Sequence, residues 1–285
     1  MANKVYVLGA SGFVGKKLIA ELGQSGTLAT FKVGRNNADL SLNLETGNYV
    51  ELLEQVKSGD TVVFLAAISS PDICKNQTDL AYRVNVESTL KLITELVAAG
   101  VKVVFSSSDA VFSGISGICN EATTPEPNNP YAKMKYAVER GVENLELVKV
   151  ARFSYIVGKG DLYTNMLNEA AKNGTPVEVF SGFERFVVTL DDVVSGLISL
   201  INNWDDIPHK VINFSGPELI SRSEITKLYK HYIAPSLTYQ VTEAPPGFWS
   251  SRPKSIEMES NYFNGVLGRP ASTIEQYFKG EYKSD

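Results

Sequence analysis

Three glycines, Gly9, Gly12 and Gly15, follow at equal spacing on the apolar run VYVLGA (5–10) and lead into an amphipathic stretch at 14–22. In the loop Gly9-Ala10-Ser11-Gly12-Phe13-Val14-Gly15 each glycine has a mechanical reason. One turns the chain sharply, one lets backbone N–H groups approach a pyrophosphate, and one brings helix against strand. A P-loop would need four residues before Gly-Lys and a Ser or Thr after it. Here Gly9 and Gly15 enclose five residues, and Lys17 follows Lys16. That motif is excluded, and a dinucleotide loop is the reading that remains.

The first half repeats the same alternation. Short unbroken apolar runs at 27–34, 61–67, 101–107 and 148–158, with a brief SLNL at 41–44, are separated by helical stretches near 49–56 and 80–99. Runs of this kind are buried on both faces of a parallel sheet, and their alternation with helices predicts βαβ units. The expected fold is α/β: a Rossmann-type doubly wound parallel sheet with a smaller C-terminal mixed α/β substrate-binding region. Residues 1–153 form the dinucleotide-binding part in this reading, with 187–215 packing back on it, and 154–285 form mainly the substrate region.

Composition narrows the chemistry. The 285 residues carry 27 basic and 32 acidic side chains, a formal charge of −5, which gives no reason to expect nucleic acid or anionic lipid as partners. Apolar runs such as 61–67 stop far short of the roughly 20 residues a membrane helix needs. VYVLGA starts directly after Met1–Lys4, so no signal peptide is expected. Cys74 and Cys119 stand apart from each other and from His209 and His231, leaving no zinc spacing and no CxxC pair. A reduced cytoplasmic protein without a metal is the expectation.

Cofactor choice turns on the end of the second strand. An acidic residue there would bind the ribose hydroxyls of NAD, but the strand ends Val33-Gly34-Arg35-Asn36. The planar fork of Arg35 suits a 2′-phosphate, and Lys16 could add a second charge, so NADPH is expected, with NADH as the alternative. Further on, Asn129 can cap a helix with Pro130 in its first turn, which puts Tyr131 and Lys135 four apart on one face. A neighbouring ammonium would draw the phenol down from its usual value near 10. The serine run Ser106-Ser107-Ser108 at the end of the preceding strand could hold a carbonyl oxygen beside it.

These residues resemble the extended short-chain dehydrogenase/reductase family over nearly the whole chain. GASGFVG is similar to its cofactor loop, YAKMK to its Tyr-Lys signature, and FLAA (64–67) to its Asn-Ala-Ala segment with Leu65 in place of Asn. Within the family, Ser107-Ser108-Asp109-Ala110-Val111-Phe112-Ser113-Gly114 and Arg252-Pro253-Lys254-Ser255 resemble elements of the dTDP-4-dehydrorhamnose reductase group, whose members are near this length. The resemblance implies reduction of a keto group, at C4, on a nucleotide-linked deoxysugar in polysaccharide biosynthesis. It gives Tyr131 the role of proton donor, Ser108 that of orienting the carbonyl, Lys135 that of tuning the phenol, and Asn85 that of supporting the lysine through water. It places Asn43, Leu44, Leu65, Ala66, Ala67 and Phe153 beside the cofactor, although Asn43 stands where an acidic residue commonly contacts adenine. Asp109 and Ala110 fall at the substrate; Ala110 replaces a tyrosine, so the sugar need not be the rhamnose precursor. Arg185 and Arg252 could reach a diphosphate, and Phe248 or Trp249 could stack on a base. A homodimer is allowed for. The alternatives are an epimerase or dehydratase of the same family, or a non-catalytic dinucleotide-sensing regulatory subunit.

Overall fold

Five strands of the first half, β1 (Lys4–Leu8), β2 (Ala29–Gly34), β3 (Leu40–Ser41), β4 (Thr61–Phe64) and β5 (Lys102–Ser108), hydrogen-bond in parallel. The strands Val148–Phe153 and Val211–Phe214 extend the sheet beyond β5, to seven in all. This is a computed structural model describing residues 3–250, 253–280 and 282. From one edge the order is Val211–Phe214, Val148–Phe153, β5, β4, β1, β2, β3. The chain builds outward from β1 in one direction and from β4 in the other, so the switch point lies between β1 and β4.

Strand residues alternate between two cores, as a sheet covered on both faces requires. Tyr6, Leu8, Val62, Phe64, Val103 and Phe105 face one cluster, with Leu52, Leu92, Ile93, Leu96, Met134 and Val138 from the covering helices. Val5, Val7, Val63 and Val104 face the other, against Leu18 and Leu22 of helix α1 (Phe13–Ser25) and Val193, Val194 and Leu197 of the helix Leu190–Asn202.

Three elements depart from the periodicity. The brief run at 41–44 is strand only to Ser41, and Asn43 bridges Asn48 in a local turn. The run 148–158 breaks after Phe153, and Ile156–Val157 pairs instead with Val188–Thr189. The stretch 80–99 is not one helix: a π-helical turn, Arg83–Ser88, interrupts it before Thr89–Ala98. An apolar period of 3.6 does not register one added residue, which is why this turn is invisible in the sequence.

A third core gathers the helices Leu162–Asn173, Arg222–Tyr232 and Ile274–Lys279 around Val177 and Val179. A small sheet of Leu219–Ser221, Glu184–Phe186, Ser255–Met258 and Ile118–Cys119 lies beside it, so a strand of the first half joins the second.

Candidate functional site

Both loops at the switch point converge on one cavity. Gly9 has φ +85°, a left-handed conformation, and a Cβ there would lie 2.9 Å from the Ala66 nitrogen in the loop after β4. A Cβ on Gly15 would lie 2.4 Å from the Gly9 carbonyl oxygen, so only glycine lets α1 start this close to β1. Gly12 is the N-cap of α1 and brings no side chain to its first turn. The free N–H groups of that turn and the positive end of the helix are thus left for an anion.

The cavity, about 510 Å³, is lined by Gly9, Ser11, Gly12, Phe13, Val14 and Gly15 and by Leu65, Ala66, Ala67, Tyr131, Lys135 and Phe153. Arg35, Asn43 and Leu44 line its far end. Of the other residues that the sequence suggested for a cofactor, Asn36 and Lys16 are exposed and outside the lining. Sequence reasoning missed Glu45, Ile68, Ser69 and Ile156, which carry no motif and reach the cavity only through the turns after β3 and β4 and the break after Phe153. A glycine cradle that a Cβ would fill, an uncapped helix start and the Arg35 guanidinium in the lining fit a dinucleotide.

Asn85 lies outside this lining but shapes it. The π-turn aims its carboxamide at the backbone of Ile68, accepting from the N–H at 2.8 Å and donating to the carbonyl at 2.9 Å. The Cys74 thiol donates to that same carbonyl at 3.2 Å. Asn85 therefore fixes the loop after β4, with its polar atoms turned to Ile68.

The helix Pro130–Val142 carries the Tyr-Lys pair. Asn129 caps it, its side-chain oxygen accepting from the Ala132 N–H at 3.0 Å, and Pro130 occupies the first turn. Lys135 is 3% exposed. Its ammonium donates to the Ser106 carbonyl at 2.7 Å and lies 4.7 Å from the Phe105 ring centroid and 5.9 Å from that of Tyr131. Burial pushes this ammonium down to about 8, against the charge of Glu139 one turn on. The Tyr131 phenol moves up rather than down. Burial is the main cause, the negative charge of Asp109 adds to it, and the lysine is turned toward Ser106. Tyr131 is accordingly held in its protonated form.

The serine run divides by its partners. Ser106 donates to the Phe64 carbonyl at 2.9 Å, and Ser107 donates to the buried Glu139. Ser108, at the mouth of β5, donates to Asp109 at 3.0 Å and accepts from the Ala110 N–H at 3.2 Å. It opens on a second cavity of about 540 Å³ that shares Ser69, Ser107, Tyr131, Phe153 and Ile156 with the first. Asp109, Ala110, Phe248 and Trp249 line this second space too. So does Arg185, 5% exposed, but its guanidinium is spent on the protein: it donates to the carbonyls of Glu184, Pro253 and Lys254 at 2.7–2.8 Å and pairs with Asp109 at 3.3 Å. Arg252 lies outside the described residues. Arg222, Tyr155 and Phe183 also line the cavity and were not singled out from sequence. Among the described residues no three His, Cys, Asp or Glu side chains are grouped to hold a metal, and no helix is long and apolar enough to cross a membrane.

A parallel sheet with a glycine cradle at its switch point and a Tyr-Lys helix across the mouth defines a Rossmann-type fold of the short-chain dehydrogenase/reductase kind. Residues 3–260 match the RmlD substrate binding domain model, and the chain belongs to that family. It is 25% identical over 269 residues to the methionine adenosyltransferase 2 subunit beta of Pongo abelii, covering 90% of this chain and 80% of that protein. Among solved structures it resembles MoeE5 in complex with UDP-glucuronic acid and NAD, at a TM-score of 0.79 and 26% identity over 97% of this chain and 96% of that one. A dTDP-4-dehydrorhamnose reductase from Bacillus anthracis in complex with NADP shares the fold at a TM-score of 0.84 and 21% identity, covering 99% of both chains.

Proposed function

We propose that the protein is an NAD(P)H-dependent reductase of a keto group, at C4, on a nucleotide-diphosphate-linked deoxysugar. In this reading residues 1–153 hold the dinucleotide and 154–285 mainly the sugar nucleotide. The observation that carries it is the position of Tyr131, a half-buried phenol kept protonated where the two cavities meet, with Lys135 one turn on and Ser108 opening on the second cavity alone. The cradle at Gly9–Gly15 would hold the pyrophosphate of the cofactor and Arg35 a 2′-phosphate, which favours NADPH. A reduced nicotinamide, when bound, supplies the hydride. Ser108 holds the substrate oxygen, and Tyr131 gives its proton to that oxygen as charge develops there. Lys135 then stabilises the phenolate left behind. Asn85 acts at one remove by fixing Ile68 and the cavity wall.

Tyr131→Phe removes the proton donor without changing the shape of the site. With a panel of nucleotide-linked 4-keto sugars, NADPH consumption is expected to fall by about 10²- to 10⁴-fold while NADPH binding is kept. Undiminished turnover would remove Tyr131 from its role.

A second reading, a dinucleotide-binding regulatory subunit, is favoured by the likeness to methionine adenosyltransferase 2 subunit beta along 90% of this chain. It predicts NADPH binding with no consumption against any keto sugar in the wild-type protein. Retention of Ser108, Tyr131 and Lys135 supports the enzyme.

A further inference from the structure

Arg222 begins the helix Arg222–Tyr232 and lines the cavity on which Ser108 and Tyr131 open. Three rings box its guanidinium, with centroids at 4.5 Å for Phe183, 4.9 Å for Tyr163 and 5.7 Å for Tyr155. Cation–π contact offsets part of the cost of leaving water, but a half-buried cation still needs an anion. Among the described residues none is paired with it: its Nε is buried without an acceptor, and its polar neighbour is the Tyr155 hydroxyl. Asp161, whose charge acts on the hydroxyls of Tyr155 and Tyr163 in the same box, is committed to capping the helix Leu162–Asn173 through the N–H groups of Tyr163 and Thr164, at 2.7 and 3.0 Å.

The charge count of the cavity leads to the same place. Its charged lining side chains are Asp109, Arg185 and Arg222, and the first two neutralise each other across 3.3 Å. Arg185 also shares the Phe183 ring with Arg222 and feels its repulsion. One positive charge is therefore left over, facing a space that holds no compensating carboxylate among the described residues.

We propose that Arg222 is the anion-receiving group of this cavity, meeting an oxyanion of the ligand, either a phosphate or a carboxylate, through the guanidinium edge that the rings leave open. The inference rests on the nucleotide-sugar reading for where the ligand lies, and not on whether that ligand is reduced. It gives to Arg222 the part for which the sequence offered Arg185 and Arg252 as candidates.

Calorimetric titration of the full chain, wild type against Arg222→Met and Arg222→Lys, with UDP, UDP-glucose and UDP-glucuronic acid tests it. Loss of one charge-assisted contact is expected to weaken binding roughly 10- to 100-fold in Arg222→Met, with partial recovery in Arg222→Lys, which keeps the charge but not the planar fork. If the phosphate is the anion, all three ligands weaken alike. If it is a sugar carboxylate, the wild type prefers UDP-glucuronic acid to UDP-glucose and Arg222→Met erases that preference. Equal affinities in wild type and Arg222→Met, or no binding of any of the three to the wild type, overturn the proposal. Thermal unfolding of both variants checks the fold, and removal of an unpaired charge is expected to leave the melting temperature unchanged or raised. Binding is read without turnover, so a protein that binds through Arg222 yet reduces nothing refutes the reductase reading alone.

Discussion

Lys135 shows the cost of burying a charge. Burial pushes its ammonium from 10.5 down to about 8, which at about 1.4 kcal/mol per tenfold change in proton affinity costs on the order of 3 kcal/mol of folding stability at neutral pH. The Ser106 carbonyl and the Phe105 ring offset part of this. Replacing it by Met, close in size and uncharged, should abolish reduction yet raise the melting temperature by a few degrees. The sign follows from proton counting: between about 8 and 10.5 the unfolded chain holds the proton that the folded chain has lost, so wild-type stability rises with pH across that window. Lys135→Met should flatten that rise. In the wild type, kcat/KM for the proposed reduction should decline as pH passes about 8, because the proposed step uses the ammonium. A melting temperature lowered by Lys135→Met would contradict this account. The Tyr-Lys pair was legible because a helical face is a local property. The upward shift of Tyr131 was not, because it depends on what covers the ring.

At the scale of elements, α1 gives a matched pair of substitutions. A Cβ at Gly15 would enter the space of the Gly9 carbonyl at 2.4 Å and of the Ala10 Cα at 2.9 Å, whereas one at Gly23 in the same helix meets nothing within 4 Å. Gly15→Ala should therefore push helix from strand, lowering stability and weakening NADPH binding by more than about tenfold. Gly23→Ala should stabilise by about 0.5–1 kcal/mol and leave binding alone. Fluorescence titration of NADPH and urea denaturation of both variants decide it, and equal effects would mean that the glycine spacing carries no packing role. The glycine loop could be read from sequence because each glycine answers to neighbours a few residues away. The π-turn at Arg83–Ser88 could not, since its purpose, aiming Asn85 at Ile68, lies in a loop distant in sequence.

Across the whole molecule, the Tyr-Lys helix is locked to the sheet by a buried pair. Arg152, on Val148–Phe153, donates to both oxygens of Glu139, with Nε at 3.1 Å from each, and Ser107 of β5 donates to the same carboxylate. Both charged side chains are nearly fully buried, and Arg152 Nη1 finds no acceptor. Glu139→Gln alone leaves a guanidinium uncompensated and should cost about 3–5 kcal/mol, while the joint change Glu139→Leu with Arg152→Met should cost far less. Chemical denaturation of the single and double variants measures the difference. Additive losses would show that the pair does not act as a unit. Half-buried Glu121 links the first half of the chain to the second by hydrogen bonds, accepting from the N–H groups of Asn213 and Asn261 at 3.0 Å.

By itself the sequence determined the doubly wound class, the cofactor-type loop and the Tyr-Lys helix. Apolar runs, glycine spacing and capping residues act over a few positions, and each constrains the backbone next to it. Tertiary structure alone decided how the charges are used. Arg185 and Arg222 look alike along the chain, and Asp109, brought from the end of β5, neutralises one and leaves the other facing the cavity. Electrostatic partners are chosen by proximity in space and by exclusion of water, and neither quantity is written in local order.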